Sequence, residues 1–167
     1  MAESATLSQA GTLTLRLADS DATEQFGARM GRSLVRAGLD DGLVLLDGEL
    51  GAGKTTTARG LLRGLGYTGR VPSPTYTLLE PYDISGLSVS HLDLYRLADA
   101  SELEHIGWRD IAASLRLVEW SSRAPGLRDA ADIQVTLSLD GIARRAQITA
   151  LSLRGRSVID DLGIISP

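Results

Sequence analysis

Leu13, Leu15 and Leu17 alternate with Thr14 and Arg16, a period of two that predicts a half-buried strand. Beyond it the period lengthens. Phe26, Met30 and Leu34 recur every fourth residue and predict a helix over about 22–37, which Gly38 ends. Asp21 and Glu24 have capping-box spacing, with Asp in place of Ser or Thr. Leu43-Val44-Leu45-Leu46 is an unbroken apolar run between Gly42 and Gly48, as expected of a strand covered on both faces of a sheet. After a glycine-rich stretch, Ala58, Leu61, Leu62 and Leu65 share one side of a second helix that Gly66 closes.

Residues 67–75 carry Gly69, Pro72 and Pro74 and read as an exposed, irregular connection. Strands are expected at Thr75–Leu79 and at 87–95, with Pro81, Asp83 and Gly86 marking a turn between them. Asp99 and Glu102 repeat the cap spacing before a short helix ending near Gly107, and a second short helix is expected at 109–113. Leu115–Trp120 reads as an apolar strand with an acid near its end. Ile133, Val135, Leu137 and Leu139 then alternate with Gln134, Thr136 and Ser138. Asp140-Gly141 signals a tight turn, and Ala146–Leu153 returns as the second arm of an antiparallel hairpin.

Composition narrows the possibilities. The chain has 167 residues, with hydrophobic residues at 43% and charged residues at 23%, a globular balance. The absence of cysteine excludes disulfides, thiolate metal sites and a Cys nucleophile. A formal net charge of -4 gives no sign of a broad basic surface for nucleic acid. Aromatics are only 4%, so the core must be built from Leu, Val, Ile and Ala. No apolar run approaches the roughly 18–20 residues that span a bilayer. Met1-Ala2-Glu3-Ser4 does not open a secretory signal, so no membrane association and a cytoplasmic location are expected.

The chemistry lies in the glycine-rich stretch. Gly48-Glu49-Leu50-Gly51-Ala52-Gly53-Lys54-Thr55 fits the P-loop pattern G-x-x-x-x-G-K-[ST] throughout. A polyphosphate must be wrapped closely by backbone N–H groups, and the helix that follows turns its unsatisfied N–H groups toward the anion. Lys54 supplies a compact cation for the β- and γ-phosphates, Thr55 a hydroxyl for Mg²⁺, and Thr56 continues the contact. Strand, loop and helix follow in the required order. The expected fold is therefore α/β: a P-loop NTPase-like sheet flanked by helices, mixed parallel and antiparallel, with a C-terminal antiparallel hairpin. Residues 1–167 are expected to form a single domain, with 1–11 and 155–167 as flexible tails.

Magnesium also calls for a carboxylate at the end of a neighbouring strand. Both Glu119, closing Leu115-Arg116-Leu117-Val118-Glu119, and Asp93, closing Val89-Ser90-His91-Leu92-Asp93, qualify. Thr75, within Ser73-Pro74-Thr75-Tyr76, is either a γ-phosphate sensor on a loop or part of an ordinary Pro-bounded turn. His91 and His105 are too few and too far apart for zinc, and a buried, hydrogen-bonded His91 is the simpler reading. Trp108 and Trp120 read as packing residues, and Arg144-Arg145 as a solvated hairpin face.

The order of these elements resembles one family, the TsaE (formerly YjeE) ATPases of the bacterial machinery that makes N6-threonylcarbamoyladenosine on tRNA. The resemblance is carried by Gly48–Thr57 (GELGAGKTTT), Ser73–Leu78 (SPTYTL), Glu80-Pro81-Tyr82, His91–Leu97 (HLDLYRL), Glu102-Leu103-Glu104 and Val118-Glu119-Trp120, over about residues 13–140. It implies Mg²⁺-dependent ATP binding and hydrolysis in support of threonylcarbamoyl transfer to adenosine 37. It also implies two related carbamoyl-transfer subunits as partners, with tRNA contacted indirectly. By resemblance, Lys54, Glu119, Asp93 and Thr75 are catalytic, Thr55, Glu119 and Asp93 face the metal, and Ser20 or a neighbour lies near the adenine. Two other functions share the P-loop. A small-molecule kinase would need a closing lid, for which only Arg123 and Arg128 near Pro125-Gly126 are available. A non-hydrolysing nucleotide-binding assembly module would need none.

Overall fold

Eight strands form one sheet, in the order β1 (Ala5–Ser8), β2 (Thr12–Leu17), β8 (Ala143–Ala150), β7 (Ile133–Asp140), β3 (Leu43–Gly48), β6 (Leu115–Glu119), β5 (Leu87–Asp93) and β4 (Leu79–Ile84). The computed structural model describes residues 5–8 (backbone only), 11–112 and 114–164. β3 lies between two parallel neighbours, β6 and β7, and β5 runs parallel to β6. All other pairings are antiparallel. The expected α/β class, mixed sheet and C-terminal hairpin are all present.

The alternation along β3 shows how the sheet is covered. Val44 and Leu46 join the cluster under the helices, with Phe26, Met30 and Leu34 of α1 (Ser20–Arg36) and Leu61 and Leu62 of α2 (Lys54–Gly64). Leu43 and Leu45 face the opposite side and pack with Leu92, Leu103, Val118 and Leu127 beneath the 3₁₀ segments Ala100–Ile106 and Pro125–Ala130. A strand buried on both faces needs this continuous apolar run.

α1 and α2 touch backbone to backbone. A Cβ on Gly27 would stand 2.2 Å from the Thr57 carbonyl oxygen, and one on Gly31 would stand 2.4 Å from that of Leu61. Reciprocally, a Cβ on Gly60 would stand 2.0 Å from the Glu24 carbonyl oxygen, and one on Gly64 would stand 2.1 Å from that of Ala28. Glu24 and Arg59 close the flank with an ion pair at 2.9 Å.

Several expected boundaries move. The cap of α1 is Asp19, whose extended backbone lets its carboxylate accept from the Ala22 N–H at 2.8 Å. The expected Asp21–Glu24 box is not formed; Asp21 already lies in the first turn, and Glu24 is drawn to Arg59. Thr75–Leu78 is turn, not strand, and β4 instead runs through Pro81 and Asp83. β4 is the outermost strand, where the donor that proline lacks can be spared. The reversal falls at Ser85-Gly86, both with positive φ, as in the primed hairpin turns. The Asp99–Glu102 capping box does form, on a 3₁₀ segment. No helix follows at 109–112: Gly107 turns left-handed and only isolated i→i+3 bonds succeed it, while residue 113 lies outside the described residues.

The expected tails are also corrected. Within 1–11, Ala5–Ser8 pairs with β2. Most of 155–167 belongs to α3 (Leu153–Ile164), which buries Val158, Ile159 and Leu162 against the core. Apolar burial of this kind holds a terminal helix in place. Residues 1–4, 9–10 and 165–167 lie outside the described residues.

α3 is also pinned electrostatically. Asp161 accepts from Arg36 Nη2 and from Ser33 Oγ, each at 2.5 Å. The hydrogen bond from Arg36, then that from Ser33, holds its carboxyl below the ordinary value of 3.8. A carboxyl whose folded pKa is depressed adds stability above its unfolded pKa and loses it as pH falls through the folded value. Asp161→Asn is therefore expected to cost about 1 kcal/mol at pH 7, the scale of a solvent-touched pair. Urea unfolding of both proteins should show that gap closing below about pH 4, near the unfolded carboxylate value.

Candidate functional site

β3, β5 and β6 end at the same edge of the sheet, and this edge holds the site. Gly48, the last residue of β3, has φ 145, and a Cβ there would meet the Leu137 carbonyl oxygen of β7 at 2.4 Å. The loop that follows leads into α2 through Gly53, which caps the helix with φ 108. Only glycine combines these backbone angles with so little room. The loop thus leads straight into the first turn of α2, whose amides are not consumed by the helix.

Lys54, the first residue of α2, is only 5% exposed. Its Nζ donates to the carbonyl oxygens of Gly48 (2.7 Å) and Glu49 (2.8 Å) and lies 3.9 Å from the Trp120 ring centroid. Burial lowers the Lys54 pKa from its ordinary value, while the charges of Glu119, Asp93, Asp47 and Glu49 pull the other way. Lys54 is thus a buried side chain in an acidic surround, at the wall of a cleft.

The carboxylates stand opposite. Asp93 and Glu119 are partners in the parallel β5–β6 ladder, so both reach the same edge. Glu119 is tied at both oxygens: Thr55 Oγ1 donates to Oε2 at 3.0 Å, and His91 Nε2 lies 2.8 Å from Oε1. His91 is fully buried, as the sequence suggested, and with its Nε2 facing the carboxylate its Nδ1 has no hydrogen-bond partner among the described residues. Asp93 accepts from Thr75 Oγ1 (2.8 Å) and from the Tyr95 N–H (2.9 Å). Ser73 Oγ lies 2.7 Å from Thr75 Oγ1. Thr75 thus closes the far side of the cleft from the loop between α2 and β4.

The structure brings together most of the residues expected from the sequence. A cleft of about 210 Å³ is lined by Leu50, Gly51, Gly53, Lys54, Thr55 and Thr56 on one side and by Thr75, Asp93 and Glu119 on the other. Gly48 and Glu49 contribute through their carbonyls, and Ala52 is buried beneath the loop with its N–H on the Glu49 oxygen. Ser20 is not in the cleft lining; it is exposed in the first turn of α1. Arg123 stacks on Tyr95 and Arg128 bonds to Gln134, and neither lines the cleft as a lid would.

Some site residues were not evident in the sequence. Trp120, expected only to pack, forms a wall of the cleft over Lys54. Its backbone is left-handed (φ 58), and nothing in the chain announces that. Ser73 lines the cleft beside Thr75. Arg144, expected on a solvated hairpin face, sits at the other edge of the loop, its Nε 3.9 Å from where a Gly53 Cβ would stand. Its position in β8 at the rim of the sheet becomes visible only with the register.

The arrangement offers one cation, backbone donors, a hydroxyl and two hard carboxylates within one cleft. Such a set suits an oxygen-rich anion accompanied by a small divalent ion, with the ion taking part of its shell from the anion. The family model "Threonylcarbamoyl adenosine biosynthesis protein TsaE" matches residues 17–147. The tRNA threonylcarbamoyladenosine biosynthesis protein TsaE of Haemophilus influenzae is 41% identical over 151 residues, which is 89% of this chain and 96% of that protein. Its counterpart in Synechocystis is 39% identical over 117 residues, 66% and 71% of the two chains. The crystal structure of Bacillus subtilis YdiB has the same fold, with a TM-score of 0.69 at 23% identity over 92% of this chain and 95% of that one.

Proposed function

The chain belongs to the TsaE family of threonylcarbamoyl adenosine biosynthesis proteins, and from that premise we propose that its part in the pathway is to bind and hydrolyse Mg-ATP. The observation that carries this reading is the Thr55–Glu119 contact at 3.0 Å, beside a buried Lys54. It places a metal-type hydroxyl and a carboxylate side by side at the mouth of a P-loop.

In this reading the residues of the cleft divide the work. Lys54 exchanges its bonds to the Gly48 and Glu49 carbonyls for oxygens of the β- and γ-phosphates. Amides of the loop and of the first turn of α2 hold the phosphate chain, that of Ala52 being spent on the Glu49 carbonyl, and Thr56 extends that contact. Thr55 and Glu119 would hold Mg²⁺, which would supply positive charge to the phosphates. Asp93, held by Thr75, orients the attacking water, and release of Thr75 reports loss of the γ-phosphate. Arg144 and the start of α1 near Ser20 flank the side on which the base leaves the loop. ATP and ADP forms then differ in affinity for the two carbamoyl-transfer subunits, a population shift between nucleotide states. tRNA is reached through those partners, in the cytoplasm. No helix among the described residues is long and apolar enough to cross a membrane.

Glu119→Gln keeps the shape of the side chain and removes its charge. It is expected to leave Mg-ATP binding within about tenfold and to lower turnover by about a hundredfold, the scale of one lost electrostatic contact in a transition state. Calorimetry and phosphate release, run with and without the partner subunits, measure the two effects. Undiminished turnover in the variant would remove Glu119 from the chemistry, and no heat of Mg-ATP binding to the parent protein would overturn the nucleotide reading.

A further inference from the structure

We propose that Asp47 is a positioning residue that holds the turn after β6 so that Trp120 stands over the ammonium of Lys54. The inference rests on the reading of Lys54 as the phosphate-binding cation.

Asp47 precedes Gly48 and lies outside the P-loop pattern, so nothing in phosphate binding calls for an acid there. Its carboxylate is nevertheless fully engaged. Oδ2 accepts from Ser121 Oγ at 2.5 Å and from Gln134 Nε2 at 3.1 Å, and Oδ1 accepts from the Ser122 N–H at 3.1 Å. Arg128 holds the Gln134 carbonyl oxygen, which fixes that amide with its NH₂ toward Asp47. Three strands or their extensions, β3, β6 and β7, thus meet at one side chain.

The two residues Asp47 grips directly follow Trp120. Trp120 sits at φ 58 and ψ 42, a left-handed conformation that costs a residue with a side chain about 1–2 kcal/mol. Such a conformation persists only where its surroundings over-determine it. On its N-terminal side the Trp120 N–H donates to the Leu46 carbonyl at 3.0 Å, extending the β6–β3 ladder by one residue. On its C-terminal side the Arg123 N–H donates to the Trp120 carbonyl at 3.0 Å, and Asp47 anchors the two serines between them. Held from both sides, the backbone throws the indole back across the β3 edge to within 3.9 Å of Lys54 Nζ, and Tyr95 backs it at 5.0 Å between ring centroids. The third face of the ammonium, not taken by the two carbonyls, is therefore closed by a π-surface, and Asp47 sets that surface's position.

The test uses Trp120 as its own reporter. The chain has two tryptophans, and Trp108 lies outside the cleft lining, against Arg116, so Trp108→Phe leaves a single indole. In that background, acrylamide quenching of Trp120 without nucleotide reads the turn directly. Asp47→Ala and Ser121→Ala are each expected to raise the quenching constant about twofold. Asp47→Ala should also weaken Mg-ATP binding about fivefold, the worth of a partly desolvated cation–π contact. Asp47→Asn, which keeps one acceptor oxygen, should recover part of both effects.

A double-mutant cycle separates positioning from loose packing. If Asp47 acts through the indole, Asp47→Ala adds nothing to the affinity loss of Trp120→Ala. Unchanged quenching in both Asp47→Ala and Ser121→Ala, or additive losses in the cycle, would overturn the proposal. Ser121→Ala keeps the question open to measurement should Asp47→Ala fail to fold. If the parent protein takes up no Mg-ATP while quenching still rises in the variants, the ATPase reading fails and the restraint on Trp120 stands.

Discussion

Lys54→Ala is expected to lower ATP turnover by about a hundredfold or more and to remove measurable Mg-ATP uptake, the largest functional effect of any single change at the site. Among the described residues that line the cleft, Lys54 is the only cation, and a phosphate chain bound there would carry several negative charges. Lys54 is buried, which strengthens its attraction for such an anion. Alanine removes the charge and also the group that bridges the Gly48 and Glu49 carbonyls. Those carbonyls then turn to water in an open cleft, so stability should change far less than activity. Calorimetric titration with Mg-ATP and a thermal melt of the same sample check both halves. Lys54→Arg should fail as well, because a planar fork cannot fill the place of a compact ammonium.

Gly60→Ala should produce the largest loss of stability, about 3–5 kcal/mol, in the range reserved for severe overpacking. The added methyl would have to stand 2.0 Å from the Glu24 carbonyl oxygen, so one helix must move away from the other. Gly27, Gly31 and Gly64 sit in the same seam and resist that movement. Gly126→Ala is the matched control. A Cβ there meets nothing within 4 Å, and the change should be neutral or slightly stabilising. Guanidinium unfolding of the two variants beside the parent protein gives both numbers. A Gly60→Ala midpoint equal to that of Gly126→Ala would contradict the close helix contact.

The contrast between these two glycines shows what the sequence could and could not disclose. Gly53 was legible because phosphate-loop chemistry fixes its neighbours, Lys54 and Thr55, in a set spacing. Gly60 was not, because its role is a clash with a carbonyl 36 residues away in α1, and no local pattern records that. The same division runs through the site. Glu119 and Asp93 could be nominated as strand-end acids, but only the register of β5 on β6 makes them neighbours. Thr75 was read both as the end of the loop after α2 and as the start of a strand, and its bond to Asp93 depends on the path of residues 67–78, which no local pattern records. Pro81 was read as a turn residue because proline usually interrupts strands, and the rule yields at an outermost strand. Residues 155–167 were expected to be a tail, yet Val158, Ile159 and Leu162 suffice to seat a helix already held by Asp161.

The glycine seam between α1 and α2 also decides where motion can occur. α2 carries Lys54 and Thr55 on its first turn, and its flank is locked to α1 without side chains to cushion a shift. Rigid elements of this kind move together or not at all. If the site takes a nucleotide as proposed, a change from triphosphate to diphosphate would not be relayed by sliding these helices. The turn at Trp120 is held as well, so the change would be expressed in residues 67–78, which carry Thr75. A surface that distinguishes two states of the site would then lie along the rim that this one segment forms.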